Sequence, residues 1–244
     1  RRQRQMCIRD RYSTWLPTRM YKNIQLSPNG AYVLIDFIKT PFSYIVPYSR
    51  FPTETHVYDV NANLIKVIND TPLLEELPKG FMSTTTAKRN FRWRSDKPST
   101  LSYFIALDKG DPAFLADYRD ALYQWEAPFT SPPSYLTKVK NRIRNVYWGN
   151  DETAIITDRW WNTRNTKSYI FNPSKPGVKA RIINDRNYQD VYSDPGNFVQ
   201  QKNKFNQSVL LIENNSVFTI GNGFTQNGQF PFLDKTNLSS GASK

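Results

Sequence analysis

A unit of anchor residue, polar turn, strand, loop and second strand recurs along this chain. That recurrence narrows the possible folds more than any other feature. The first copy opens with Leu26-Ser27-Pro28-Asn29-Gly30 and runs into Tyr32-Val33-Leu34-Ile35-Asp36-Phe37-Ile38. His56-Val57-Tyr58-Asp59-Val60, the turn Asn61-Ala62-Asn63 and Leu64-Ile65-Lys66-Val67-Ile68 complete it. The runs are β-branched and aromatic, and Pro, Gly and Asn bound them, as expected of short strands joined by turns. A second copy starts at Trp93-Arg94-Ser95-Asp96, with strands expected at 101–105 and 121–125. A third starts at Trp148-Gly149-Asn150-Asp151, with strands at 153–157, 168–171 and 180–183. The fourth shows 208–212 and 217–220 but has no aromatic anchor.

The anchors Leu26, Trp93 and Trp148 are 67 and 55 residues apart. Propeller repeats commonly run to about 40–50 residues, so these read as long blades with insertions. Each copy offers four short strands, the content of one blade. An antiparallel sandwich also uses short strands with regular turns, but a repeated anchor and turn favours blades. The fold expected is all-β: a partial β-propeller of about four four-stranded blades over residues 12–244. Helix is expected only as one short turn at 71–77 and another at 111–117. Terminal copies of a repeat array usually need a partner.

The formal charge of +12 raises nucleic acid as a partner. Five Arg and one Asp in residues 1–11 supply +4 of it, and the remaining +8 is dispersed along the chain. Dispersed charge reads as a solvated basic surface, so no nucleic-acid partner is expected. Met6-Cys7-Ile8-Arg9-Asp10-Arg11 looks like translated sequencing adapter, and residues 1–11 are expected to be a non-native artefact. Cys7 and His56 are the only cysteine and histidine, which excludes an internal disulfide and a Cys/His zinc site. No metal or other cofactor is expected. No apolar stretch approaches the roughly 18 residues of a membrane span, and no apolar signal-peptide core is present.

Several tracts together resemble one family. Pro41-Phe42-Ser43-Tyr44-Ile45-Val46-Pro47-Tyr48-Ser49-Arg50-Phe51-Pro52 is similar to a segment of the bacterial and plastid glutamyl endopeptidase-like branch of the prolyl oligopeptidase family. Ala106-Leu107-Asp108-Lys109-Gly110-Asp111-Pro112, Trp125-Glu126-Ala127-Pro128-Phe129 and Tyr192-Ser193-Asp194-Pro195-Gly196 continue the resemblance. It ends with Ile220-Gly221-Asn222-Gly223 and Pro231-Phe232-Leu233-Asp234, and covers roughly residues 20–241. It implies an N-terminal β-propeller that caps a C-terminal α/β-hydrolase domain bearing a Ser/Asp/His triad. It also favours a periplasmic or secreted location.

The chemistry of such a triad is not written in this chain. A nucleophile elbow needs Gly-x-Ser-x-Gly, and no such tract occurs. His56 precedes any position where the base would follow a nucleophile, so it reads as a strand histidine. The chain also lacks a P-loop and a Gly-x-Gly-x-x-Gly fingerprint, and the adjacent Glu75-Glu76 reads as a solvated pair. No catalytic residue is expected.

Two tracts are candidates for substrate binding. Tyr44, Tyr48 and Arg50 mix aromatics and a cation in a loop between strands. Arg159-Trp160-Trp161-Asn162-Thr163-Arg164 does the same, and contributes Arg159 and Arg164. Guanidinium groups beside aromatics suit recognition of an acidic side chain, because the planar fork binds a carboxylate bidentately. For the Trp pair the competing role is packing, since neighbours alternate along a strand and one should be buried. For Arg50 and Arg159 it is a local ion pair. The function expected is a propeller that gates and orients peptide substrates for the hydrolase domain, and the resemblance implies cleavage after Glu. The alternative is a non-catalytic propeller acting as a binding scaffold.

Overall fold

The computed structural model describes residues 14–241, so the expected artefact at 1–11 lies outside the described residues. The first sheet holds β1 (Met20–Leu26), β2 (Tyr32–Ile38), β3 (Thr53–Asp59) and β4 (Leu64–Thr71), antiparallel and in sequence order. The second holds β5 (Arg89–Trp93), β6 (Thr100–Ala106), β7 (Asp120–Glu126) and β8 (Ser134–Val139). The third holds β9 (Arg142–Trp148), β10 (Ala154–Trp160), β11 (Asn165–Phe171) and β12 (Arg181–Asn187). A fourth, less regular unit follows. It comprises β13 (Asn197–Phe198), β14 (Gln200–Lys202), β15 (Ser208–Leu210), β16 (Ile212–Glu213), β17 (Ser216–Gly221), β18 (Phe224–Thr225), β19 (Gly228–Gln229) and β20 (Phe232–Asn237). There β20 pairs along all of β17, while β13 and β16 share its other edge.

The central strands of the second and third sheets are apolar on both faces because each of these sheets packs between two neighbours, while the outer face of the first sheet is covered by its own Phe37 and Tyr58 with Leu16. Leu34, Val57 and Ile68 of the first sheet meet Leu101, Tyr103 and Trp125 of the second. The second sheet's other face presents Phe104, Leu122 and Leu136 to Trp148, Ile156 and Tyr169 of the third. Ile155, on the third sheet's far face, packs on Leu210 and Val217 of the fourth unit. Each fully buried Leu, Ile or Phe contributes about 1.5–3 kcal/mol. Sheets stacked in series exclude a two-sheet sandwich and make the chain a partial β-propeller.

The anchors sit differently from the expectation. Leu26, Trp93 and Trp148 do not open their units; they are the last residues of β1, β5 and β9. Each is thus preceded by a strand that the sequence pattern did not show. Neighbouring anchors interlock: Trp93 Nε1 donates to the Gln25 carbonyl at 3.1 Å, and the Arg94 guanidinium lies 4.1 Å from the Trp148 ring centre. Leu26 is exposed and Trp148 buried, so the shared position does not mean shared burial. The two expected helical turns are also corrected. Thr71 closes β4, residues 72–77 have no regular structure, and 111–117 hold only a turn and isolated bends. One turn is too short to repay helix nucleation.

Strand alternation sorts the connections between two ends of the blades. The anchor end carries the turns after β1, β5 and β9. The opposite end carries the β2–β3, β6–β7 and β10–β11 connections and all crossovers between units, and is termed the crossover end. Contacts between blades respect this division. At the anchor end Ser99 Oγ donates to Asn29 Oδ1 at 2.8 Å. At the crossover end the Thr84 amide donates to the Gly110 carbonyl at 3.0 Å, and Arg142 Nε to the Met82 carbonyl at 3.0 Å.

Candidate functional site

All five candidate residues, Tyr44, Tyr48, Arg50, Arg159 and Arg164, belong to the crossover end. They form two groups. Tyr48-Ser49-Arg50 is a 3-10 turn in the β2–β3 connection. This connection is held to the first crossover by the Leu74 amide on the Arg50 carbonyl at 3.0 Å and by Ser43 Oγ on Glu75 Oε1 at 2.7 Å. Tyr44 and Tyr48 are exposed, and Arg50 is half-buried.

The second group is built around the β10–β11 turn, and one expectation is corrected there. Arg159 is not in a loop: it lies within β10, opposite Arg142 on β9 and Thr166 on β11. Alternation puts it on the face of Thr157 and Ile155, and sends Asp158 and Trp160 to the buried opposite face. Trp160 is buried and Trp161 exposed, as one of the pair should be. Arg164 ends the turn at φ +55°, a left-handed conformation uncommon for arginine. Its carbonyl accepts from the Tyr188 amide at 2.8 Å, which ties the turn to the connection leaving β12.

The result is a ladder of rings and guanidinium groups. Phe81, from the first crossover, packs on Trp161 with centroids 5.0 Å apart and the rings tilted by 32°. The Arg164 guanidinium lies 3.9 Å from the Trp161 ring centre, and its Nη1 donates to Tyr188 Oη at 3.3 Å. The Arg159 guanidinium lies 3.7 Å from the Tyr188 ring centre. Among the described residues no hydrogen bond, ion pair or ring contact joins Tyr44, Tyr48 or Arg50 to this ladder. Sequence reasoning missed Phe81 and Tyr188, whose place in the ladder follows from pairing between distant segments.

The local ion pair that competed for Arg159 is not formed with any described residue. Burial, then the neighbouring positive charge of Arg144, depress its pKa from the usual arginine value, and Arg186 adds to this. Its Nε is buried without a hydrogen-bond partner among the described residues. A guanidinium here keeps its charge, since an ordinary pKa above 12 leaves a wide margin.

Other buried charges at this end are compensated. Arg142 Nη1 lies 2.7 Å from Asp108 Oδ1 and 3.0 Å from Asp120 Oδ1, and Arg119 Nη1 lies 2.7 Å from Asp108 Oδ2. Arg89 also pairs with Asp120, and both carboxylates are fully buried. This network ties the second sheet to the third. His56 is buried in β3, with Nδ1 3.1 Å from Tyr58 Oη and Nε2 3.2 Å from Glu54 Oε2. Burial lowers its pKa and keeps it neutral near pH 7.

No protein-family profile matches the chain. The chain is 33% identical over 233 residues to the rice (Oryza sativa subsp. japonica) protein named "Probable glutamyl endopeptidase, chloroplastic", which covers 93% of this chain and 25% of that protein. It is 31% identical over 230 residues to the Arabidopsis thaliana protein of the same name, covering 91% of this chain and 24% of that protein. The chain therefore spans about a quarter of the length of these relatives. Among solved structures it is similar to the β-propeller domain of the Trilobed protease from Pyrococcus furiosus. That match has a TM-score of 0.48 and 11% identity, and covers 93% of this chain and 56% of the other. As its tracts implied, the chain is similar over nearly its whole length to plant proteins named as glutamyl endopeptidases, and its own stacked sheets are β-propeller blades.

Proposed function

We propose that this chain is the substrate-facing propeller of a serine peptidase. It gates and orients peptides for an α/β-hydrolase domain of the same protein and favours acidic residues, with cleavage after Glu. One observation carries the reading: Arg159 is a buried-edge guanidinium with no acidic partner among the described residues, held by Tyr188 at the end of the blades where all crossovers gather. A cation held without a carboxylate is poised to take one from a ligand, and partial desolvation strengthens the contact. The exposed Tyr44 and Tyr48, with the half-buried Arg50, form a rim on the first blade at the same end, suited to extended peptide.

The test is made in the full-length protein. Arg50, Arg159 and Arg164 are each changed to Met, and kcat/KM is compared on matched Glu and Gln peptides. Loss of a charge-assisted contact is worth about 1.5–3 kcal/mol, or roughly ten- to a hundredfold in Glu over Gln preference. An unchanged preference in all three variants places recognition in the hydrolase domain. Absence of any peptide hydrolysis by the full-length protein would favour the scaffold role.

A further inference from the structure

The third blade turns an unusually polar face toward the fourth. A blade face that meets its neighbour is normally apolar, and at the anchor end this one is: Ile155 packs on Leu210 and Val217. Two residues further along β10 the character changes. Asn145, Thr157, Ser168 and Asn184 sit opposite one another across β9, β10, β11 and β12, a polar row spanning all four strands. The next row contains Arg159, Thr166 and Arg186.

A strand irregularity brings in a third cation. Between β9 and β10 the register steps from Thr157–Asn145 to Asp158–Ile143, so Arg144 is the extra, unpaired residue of a β-bulge. Bulges re-aim side chains. Arg144 lines the same cleft as Arg159 and Arg186, and its charge acts on Arg159. The cleft holds about 260 Å³ and is bordered on the side of the fourth unit by Asp194-Pro195-Gly196 of the connection leaving β12 and by Phe198 of β13. Asp194 is its one carboxylate; it lies 2.9 Å from Arg186 and compensates that charge alone.

Such a row is hard to explain as packing. Three guanidinium groups with one carboxylate repel one another, and a polar face between blades gives up apolar burial. Both features suit an anion with a short hydrogen-bonding stem. We propose that the cleft between the third and fourth blades is a binding subsite for the carboxylate of an acidic peptide side chain, with Arg144 and Arg159 holding the charge. Thr157, Ser168 and Asn184 hydrogen-bond its oxygens, and Arg186 with Asp194 forms the wall. This rests on the reading of the crossover end as substrate-facing, and deepens it by naming where the acidic group goes.

The test reads binding without turnover. The full-length protein, with any active serine blocked by a fluorophosphonate, is labelled with phenylglyoxal, and modification of each arginine is followed by mass spectrometry. A blocked peptide containing one Glu, its Gln counterpart and inorganic phosphate are compared as protectants. The expected result is that the Glu peptide slows labelling of Arg144 and Arg159 at least tenfold at saturation and the Gln peptide does not. Asn184→Leu should weaken this protection while leaving Arg50 labelling as it was. Equal protection by Glu and Gln peptides, or by phosphate at the same concentration, overturns the proposal in favour of a nonspecific basic cleft. So does no protection at all. A protein that cleaves Glu peptides yet shows no protection of these arginines refutes the subsite and leaves the peptidase reading standing.

Discussion

The guanidinium of Arg159 lies 3.7 Å from the centre of the Tyr188 ring, which holds a strand-borne cation against the connection that leaves β12. A cation–π contact is worth about 0.5–1 kcal/mol when exposed and about 2 when desolvated. Tyr188→Leu keeps apolar volume but removes the ring. The expected loss is about 1 kcal/mol in urea denaturation, together with faster phenylglyoxal modification of Arg159. An unchanged labelling rate would show that the strand alone positions this guanidinium.

The three candidate arginines should not be equal in the Glu/Gln comparison. Arg159 has no acidic partner among the described residues and a partly desolvated guanidinium, whereas the half-buried Arg50 lies on a separate rim with no contact to the ladder. The expected order of effect on Glu preference is Arg159→Met, then Arg164→Met, then Arg50→Met. The last should act mainly through long-range charge, and its effect should fade as salt rises from 0.01 to 0.5 M. The salt series of kcat/KM measures this.

Arg142 bridges two fully buried carboxylates, Asp108 and Asp120, across the second and third sheets. Removing one partner of a buried pair leaves an uncompensated charge and costs about 3–5 kcal/mol. Arg142→Met should therefore be among the most damaging single changes, read as a lower urea midpoint. Arg164→Met, on an outer turn, should shift the midpoint far less.

Tyr169 Oη donates to Asp158 Oδ2 at 2.8 Å within the third sheet. Asp158 is fully buried and also accepts from the Asn141 and Lys167 amides, each at 3.0 Å. Tyr169→Phe preserves packing but deletes one bond to this carboxyl group. The expected destabilisation is about 1.5–3 kcal/mol. Tyr44→Phe, at an exposed position, should stay within about 0.5 kcal/mol by the same denaturation measurement.

His56 gives the stability a pH dependence of known sign. Burial holds its folded pKa below the ordinary 6.5, and Glu54 opposes this only in part. The unfolded chain takes up a proton near pH 6.5 that the folded chain refuses. This contribution is intact above that pH and is lost as pH falls from 6.5 through the lowered folded value. Denaturation midpoints at pH 7.5 and 5.5 should thus fall more for the wild type than for His56→Gln. Equal falls would assign the acid sensitivity to carboxylates instead.

The sequence by itself determined the apolar inner strands and the absence of an elbow motif. Val33-Leu34-Ile35 and Ala154-Ile155-Ile156 are apolar on both faces, and a strand buried on both sides writes itself as such a run. Asn61-Ala62-Asn63 and Trp148-Gly149-Asn150-Asp151 mark turns through local backbone chemistry, and the ordered tracts around them carry the likeness to glutamyl endopeptidases. These signals are short-range, so they can be read residue by residue. The tertiary structure alone decided what meets what. It set Phe81 on Trp161 and Tyr188 on Arg159, pairs 80 and 29 residues apart that no local pattern links. It moved the anchors to the ends of β1, β5 and β9, because the polar strands before Leu26 and Trp93 gain their place by pairing rather than by burial of their own. The bulge at Arg144 likewise follows from the register β9 adopts against β10, and that register is set by cross-strand pairing, to which a one-residue offset in sequence gives no clue.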